Sequence, residues 1–162
     1  MFAHPSIDTL DFARNGGELR GDFPVASMSR LGDSLMNSEG SIVYSLSGLL
    51  LDNQPALELE ISGTLNLSCQ RCLGELQFPI QTKSRLLVLA PEDLEKLDAE
   101  DDVDAIEAAT HFDVLSLIED EVLLGLPFAP KHPEGECSPL VNSLQRSANP
   151  FAVLADLKKK NQ

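Results

Sequence analysis

The sequence predicts an α+β fold in which an antiparallel β-meander, either an open sheet or a partly closed barrel, packs with a few helices. Three consecutive stretches with strand character, at 41–51, 57–67 and 76–89, are joined by short connections. The strongest helical pattern follows them, between Asp113 and Leu126. These two observations are the basis of the predicted fold class.

The chain before the meander carries weaker signals. Residues 1–18 contain Pro5, Gly16 and Gly17 and show no sustained period, so we predict an irregular or edge segment. Residues 26–36 place apolar side chains at helical intervals and include serines that can cap a helix, which predicts a short helix. The apolar positions are Met28, Leu31 and Leu35.

The meander is predicted from composition and alternation. The segment 41–51 reads SIVYSLSGLLL, which is rich in strand-forming residues, and Asp52-Asn53-Gln54-Pro55 follows as a turn. Apolar and polar side chains then alternate strictly from Leu57 to Ser62, so one face of the second strand should contact water. The third strand repeats this alternation from Leu76 to Gln81.

The chain after the meander is acidic and then helical. We predict that an acidic loop around 91–111 begins as a helix at PEDLEKL. Asp113 can cap the next helix, which Pro127 ends, and closely spaced prolines predict irregular chain beyond it. The apolar stripe of this helix consists of Leu115, Ile118, Val122 and Leu126.

The domain organisation is predicted to be simple. Residues 1–139 are expected to form one α+β domain, and the polar residues 140–148 a linker. Residues 149–162 are predicted to form a C-terminal helical tail, opened by Asn149 and Pro150. Three lysines, Lys158 to Lys160, suit the negative end of that helix dipole.

Length and composition indicate a cytoplasmic protein. A chain of 162 residues can bury a hydrophobic core without disulfides, and three cysteines, an odd number, fit a reducing compartment. The first twenty residues lack the basic start and apolar stretch of a secretory signal. No apolar run approaches the roughly 18 to 20 residues that span a bilayer, so no membrane association is expected.

The negative charge is concentrated in one segment. Of the formal net charge of −14, residues 91–126 contribute −12, with thirteen acids against the single base Lys96. Nucleic-acid binding depends on lysines and arginines that displace phosphate counterions, so this segment should repel RNA and attract a basic protein. Direct RNA binding is therefore not expected. A solvated acidic loop explains the same charge, and the sequence leaves both interpretations open.

The pair Cys69-Gln-Arg-Cys72 can supply two ligands to one metal ion, because a tight turn brings its sulfurs close together. His132 and Cys137, in KHPEGEC, are candidates for the other two ligands of a structural zinc, although only tertiary structure can bring them near. A plain reduced turn is the alternative. A thioredoxin-like redox pair needs a cysteine at a helix N-terminus, whereas strands are predicted on both sides here.

Glu119, Asp120 and Glu121 lie in the middle of the predicted helix. Consecutive helical residues point in different directions, so these carboxylates do not converge as a general acid and base require. They are either a solvated helix face or a docking surface for a basic partner. The sequence has no glycine-rich phosphate loop, nucleophile elbow or zinc-protease helix, and no enzymatic activity is predicted.

Three segments together resemble the YceD family, the large ribosomal RNA subunit accumulation proteins. They read SCQRCLGELQFPI at 68–80, DVLSLIEDEVLLGLPFAPKH at 113–132 and NPFAVLADLKKK at 149–160. The resemblance implies a role in the synthesis, processing or stability of 23S ribosomal RNA, with no established enzymatic activity. Other members carry further cysteines near the C-terminal end in a pattern similar to a zinc ribbon, whereas this chain has only His132 and Cys137 there.

Charge and resemblance together predict a non-enzymatic accessory factor in large ribosomal subunit biogenesis. Because the chain is too acidic to hold RNA by itself, we expect a basic large-subunit ribosomal protein or assembly factor as its partner, with 92–121 as the candidate surface. The alternative is a structural zinc-binding or thiol redox protein with only an indirect ribosomal role.

Overall fold

The computed structural model describes residues 4–96 and 104–137. The predicted linker at 140–148 and the predicted helical tail at 149–162 lie outside these ranges, as does part of the acidic segment. The described strands are β1 (Ser6–Ile7), β2 (Glu18–Pro24), β3 (Ser41–Leu51), β4 (Gln54–Ser68), β5 (Glu75–Leu89), β6 (Ala105–Glu107) and β7 (Phe112–Asp113). The described helices are α1 (Thr9–Arg14), α2 (Pro91–Leu94) and α3 (Val114–Gly125).

The fold is α+β, and its main sheet has the strand order β2-β3-β4-β5-β6. Strands β2 to β5 form an antiparallel meander, of which the sequence predicts β3 to β5 but not β2, whereas β6 pairs in parallel with the end of β5. Strands β1 and β7 form a separate antiparallel pair. Among the described residues the sheet is open, with β2 at one edge and β6 at the other, so it does not close into a barrel.

The β3–β4 hairpin turns over two residues. Asp52 and Asn53 both have positive φ, 47° and 67°, as a type I′ turn requires, and this turn matches the twist of the strands that it joins. Gln54 and Pro55, which the sequence assigns to the turn, instead begin β4 and pair with Leu51 and Leu50.

The two faces of the sheet differ as the alternation predicts. In β4, Leu57, Leu59 and Ile61 are buried in the core, while the intervening side chains lie on the outer face. There Lys83 bridges Glu58 and Glu60 at 2.9 and 2.6 Å, and Arg85 bridges Glu58 at 2.7 Å. The outer face is therefore a polar surface, and the helices pack on the inner one.

Helix α3 confirms the strongest helix prediction. The side chain of Asp113 accepts a hydrogen bond from the Leu115 N–H at 3.2 Å, and the helical chain stops just before Leu126 and Pro127. Leu115, Ile118 and Val122 of the predicted stripe are buried. No helix in the described parts of the chain is both long and apolar enough to cross a membrane.

The N-terminal segments differ from their prediction. The first eighteen residues include α1, which begins at the cap Asp8 and packs so closely on β3 that a Cβ at Gly48 would lie 2.1 Å from the Phe12 carbonyl oxygen. Six residues are too few to show a helical period. The acidic segment likewise contains β6, which the sequence assigns to a loop.

Residues 26–36, where the sequence predicts a short helix, do not form an α-helix. They contribute instead to two short 3₁₀ turns, Val25–Ser27 and Ser29–Ser34, after which Leu35 is extended and bridges Leu67 of β4. Val25, Met28 and Leu31 are buried. Their spacing of three residues is the 3₁₀ period, which a longer window does not separate from the α-helical one.

Candidate metal centre and the carboxylates of helix α3

The turn between β4 and β5 brings Cys69 and Cys72 together. The Cys69 N–H donates to the Gly74 carbonyl at 2.9 Å, and the Leu73 N–H donates to the Cys69 carbonyl at 2.8 Å, which folds the chain back on itself. Leu73 has a φ of 58° and so adopts the left-handed conformation that glycine usually supplies. Cys69 is buried, and Cys72 is partly buried.

The segment after α3 returns to this turn and supplies His132 and Cys137. The Gln70 N–H donates to the Pro130 carbonyl at 2.8 Å. The side chain of Arg71 donates to the carbonyls of His132 and Pro133, at 3.0 and 3.2 Å. These contacts hold the return segment against the hairpin, so the structure brings all four sequence-predicted ligand residues together.

The four side chains converge on one point. The three sulfurs and one imidazole nitrogen of the Cys/His cluster, defined as Cys69, Cys72, His132 and Cys137, all lie within 4.8 Å of one another. The Sγ atoms of Cys69 and Cys137 are 3.8 Å apart, and His132 Nδ1 lies 3.4 Å from Cys72 Sγ and 3.8 Å from Cys137 Sγ. In a tetrahedral zinc site, bonds of about 2.3 Å to sulfur and 2.0–2.1 Å to nitrogen separate neighbouring ligand atoms by about 3.5–3.8 Å. The cluster therefore fits a zinc ion.

The protonation pattern of His132 also suits a metal ligand. Its Nε2 lies 2.9 Å from the Glu75 carbonyl oxygen, which can only accept, so Nε2 carries a proton and donates it. In the neutral ring, Nδ1 then keeps a free lone pair facing the sulfurs, which is the arrangement that orients metal-binding histidines. Without a metal, the hydrogen bond with Cys137 raises the pKa of His132.

The environment of Cys69 favours the thiolate. Burial opposes ionisation, but hydrogen bonds from the backbone, beginning with that of Cys72, lower the pKa of Cys69 to about 5. Thiolate is the form that binds metals. A separation of 3.8 Å between the sulfurs of Cys69 and Cys137 is far longer than the roughly 2.05 Å of a disulfide, and all three cysteines are free.

The carboxylates of α3 behave differently from the cluster. Glu119 is 6% exposed and accepts hydrogen bonds from the backbone N–H and the Nε of Arg30, at 3.1 and 2.9 Å. Glu121 is 8% exposed and accepts a hydrogen bond from the Ser84 hydroxyl. Asp120 is exposed and pairs with Arg30. Two of the three candidate partner-binding residues therefore hold the helix to its own domain, and their role in partner binding stays a prediction.

Two arginines at these sites were not predicted from the sequence. Arg71 donates its Nε to Cys137 Sγ at 3.0 Å, and Arg30 donates Nη2 to the Ser116 carbonyl at 2.7 Å in addition to its carboxylate partners. The position of Arg71 between Cys69 and Cys72 could have indicated from the sequence that its side chain contacts the cluster. Arg30 lies 89 residues from Glu119, so no local pattern could connect them.

Comparisons with known proteins agree on one family. The family model described as large ribosomal RNA subunit accumulation protein YceD matches residues 57–158. The protein of that name from Haemophilus influenzae is 27% identical over 172 aligned positions, which cover 96% of this chain and 95% of the relative. No solved structure matches the chain. The matched range includes the Cys/His cluster and α3 in full.

Proposed function

Because the chain belongs to the YceD family, we propose that it is a non-enzymatic accessory factor that supports the accumulation of 23S ribosomal RNA in the large ribosomal subunit. The name of the Haemophilus influenzae relative, together with its match along almost the whole chain, supports this role. In α3, Glu119 and Glu121 are bound to Arg30 and Ser84 and do not converge as a general acid and base require.

We propose that the protein acts through a basic protein partner rather than by holding RNA. The observation that supports this step is the distribution of exposed carboxylates in the described part of the acidic segment, from α2 to α3. Basic residues among the described ones there are limited to Lys96, which already pairs with Asp93 at 2.8 Å. The exposed acids are Glu92, Asp93, Glu95, Asp104, Glu107, Asp113 and Asp120. Such a surface attracts lysine- and arginine-rich proteins and repels phosphate.

The test is crosslinking in cells followed by purification of the full chain at low salt. We expect basic large-subunit proteins to copurify, and a variant with Glu92→Gln, Glu95→Gln and Asp104→Asn to recover much less of them. The matched control neutralises Glu18 and Asp22, which lie on the outer face of the edge strand β2. Recovery of naked 23S RNA without any large-subunit protein would contradict the proposal.

We also propose that the Cys/His cluster holds one zinc ion in a structural role. Its ligands would be the three cysteine sulfurs and Nδ1 of His132, whose mutual distances support a tetrahedral site. A zinc ion there supplies a crosslink between the β4–β5 hairpin and the return segment after α3. Because all positions around zinc are then occupied by protein ligands, the site is closed, which is typical of structural and not of catalytic zinc.

A thiol redox role is less well supported by the same geometry. The Cys69-Gln-Arg-Cys72 turn joins two strands, so neither cysteine lies at a helix N-terminus, where the helix dipole activates redox thiols. The low pKa of Cys69 serves metal binding equally well.

A further inference from the structure

The edge of β5 that faces away from β4 is only partly used. On that edge, β6 pairs with Leu87, Val88 and Leu89 alone, although β5 begins at Glu75. The register between β4 and β5 runs without interruption from Glu75 to Leu87, so β5 has no bulge over this length. Twelve residues of a long strand therefore have no strand partner on one side within the described chain.

Hydrogen bonds show which backbone groups point to this open edge. The Leu87 N–H donates to the Asp104 carbonyl at 2.9 Å, and the Leu89 carbonyl accepts from the Ala108 N–H at 2.8 Å. Since alternate residues of a strand direct their backbone groups to opposite edges, the odd-numbered residues of β5 face outwards. The open positions nearest to β6 are Gln81, Lys83 and Arg85, which make no backbone hydrogen bond on that side within the described residues.

Pro79 lies in the same odd-numbered row. A proline there removes no hydrogen bond from the β4–β5 ladder, because its missing N–H would have pointed to the open edge. It also interrupts the row of donors, which leaves a short stretch from Gln81 to Arg85 that is free of backbone partners on this edge in the described part of the chain. A short exposed edge is less prone to nonspecific strand pairing than a long one.

The free edge has space on both sides. A groove of about 420 Å³ lies on the helix side, between α3, β6 and the residues Thr82, Ser84 and Leu86. A second one, of about 770 Å³, lies on the other side and shares Ser84 and Asp104 with the first. An added strand can therefore direct its alternate side chains into two separate spaces.

The chemistry of the helix-side groove indicates its occupant. Leu117 and Leu124 supply apolar surface, and Leu124 is 81% exposed. Asp104, Asp120 and Glu121 line the same groove with carboxylates. Asp120 pairs with Arg30 and Glu121 accepts a hydrogen bond from Ser84, whereas Asp104 is exposed. Thr82 also lines this groove, and its hydroxyl is shielded from water and has no hydrogen-bond partner among the described residues. On the outer side, Lys83 and Arg85 are already neutralised by Glu58 and Glu60.

We propose that an extended lysine- or arginine-rich segment of a partner protein adds to β5 as a further strand at Gln81–Arg85, in line with β6. Its backbone completes the free hydrogen bonds of the edge, and its basic side chains meet the carboxylates of the groove. A second copy of this chain fits less well, since it would bring two acidic grooves together. The proposal rests on the proposed function, because it states how the basic partner is held.

The test uses the full chain and a short fluorescein-labelled peptide of alternating lysine and valine, with binding followed by fluorescence anisotropy. Gln81→Pro removes one outward N–H and leaves the ladder to β4 intact, so it should weaken binding about tenfold. Gln81→Ala, which keeps the N–H, should leave the affinity unchanged. The same peptide methylated on alternate backbone nitrogens keeps its charge but loses its donors, and it should not bind.

Amide hydrogen exchange of the unaltered protein gives a second measurement that does not depend on how a proline variant folds. When the unmethylated peptide binds, exchange of the Gln81, Lys83 and Arg85 amides should slow, while that of Thr82 and Ser84, which already face β4, should not change. Equal binding of the methylated peptide, no binding at all, or no slowing at the odd-numbered amides would overturn strand addition. In the copurification experiment, equal recovery of large-subunit proteins by Gln81→Pro would also overturn it and leave the proposed function standing.

Discussion

The Cys/His cluster and the carboxylates of α3 are both groups of chemically capable side chains, but only the first converges. Its four ligand atoms lie within 4.8 Å of one another. In α3, Glu119 and Glu121 turn to different partners, Arg30 and Ser84, within the domain. Convergence on a shared point is typical of a ligand site, whereas divergence to internal partners fastens one element to another.

The largest expected effect is loss of the metal centre. Protein purified without added metal should contain about one zinc per chain by elemental analysis, and Cys72→Ser should abolish it. Because the proposed zinc would crosslink the hairpin and the return segment, we expect the melting temperature to fall by about 10 °C or more.

The matched control is Gln70→Ala, which changes a side chain of the same turn outside the cluster and should retain the metal. A chelator should lower the melting temperature of the unaltered protein and of Gln70→Ala, but not that of Cys72→Ser. A metal-free protein whose stability does not depend on Cys72 would show that convergence alone does not identify this site.

The second effect concerns Arg30, which holds α3 by way of Glu119. Arg30→Ala leaves a buried carboxylate without its guanidinium, so we expect the free energy of unfolding to fall by about 2 kcal/mol in urea titration. Asp120→Asn removes the exposed partner of the same arginine and should change the free energy of unfolding by less than about 0.5 kcal/mol. If both variants lowered the free energy of unfolding by the same small amount, Glu119 would not fasten the helix as the structure indicates.

A smaller and opposite effect is expected at Leu73. Its left-handed backbone strains any residue with a Cβ, and its side chain is 62% exposed, so Leu73→Gly should raise the free energy of unfolding by up to about 1 kcal/mol. Leu73→Ala keeps the Cβ and serves as the control, with little or no gain. If Leu73→Gly and Leu73→Ala raised the melting temperature equally, the gain would come from removing the exposed leucine side chain and not from relieving the backbone.

The smallest effect is electrostatic and concerns the outer face of the sheet. Hydrogen bonds from Lys83 and then Arg85 lower the pKa of Glu58 below its usual value. This ion pair therefore contributes stability above the pKa of the unfolded glutamate, and the contribution is lost as the pH falls through the lower folded pKa. Urea midpoints measured from neutral to acidic pH should decline less steeply for Glu58→Gln than for the unaltered chain. Parallel profiles would exclude a measurable contribution from this pair.

Much of the fold could be predicted because it depends on short periods. The alternation of β4 correctly indicated a sheet with one polar face, and the cap at Asp113 located α3 within one residue. Predictions failed where the local signal was too short or too similar to another one. Helix α1 spans only six residues, and a spacing of three between Val25, Met28 and Leu31 suits a 3₁₀ turn as well as an α-helix.

In the candidate sites, too, contacts between neighbouring residues could be predicted and contacts between distant residues could not. Cys69 and Cys72 are visible as a pair because two intervening residues allow a tight turn. The burial of Glu119 and Glu121 is not visible, because their partners Arg30 and Ser84 lie 89 and 37 residues away. When those partners are unknown, a run of carboxylates in a helix predicts a solvated helix face.

By itself, the sequence determined the α+β class, the order of the three long strands, the capped helix and one half of the candidate metal site, because each follows from interactions between residues close along the chain. Only the tertiary structure decided that His132 and Cys137 complete that site, with the Cys72 sulfur and the His132 ring brought to 3.4 Å across 60 residues. It also decided which α3 carboxylates are internal and which edge of β5 has no strand partner over Glu75–Leu86 among the described residues. These features depend on where the chain returns after each turn, and packing of the whole domain sets that return.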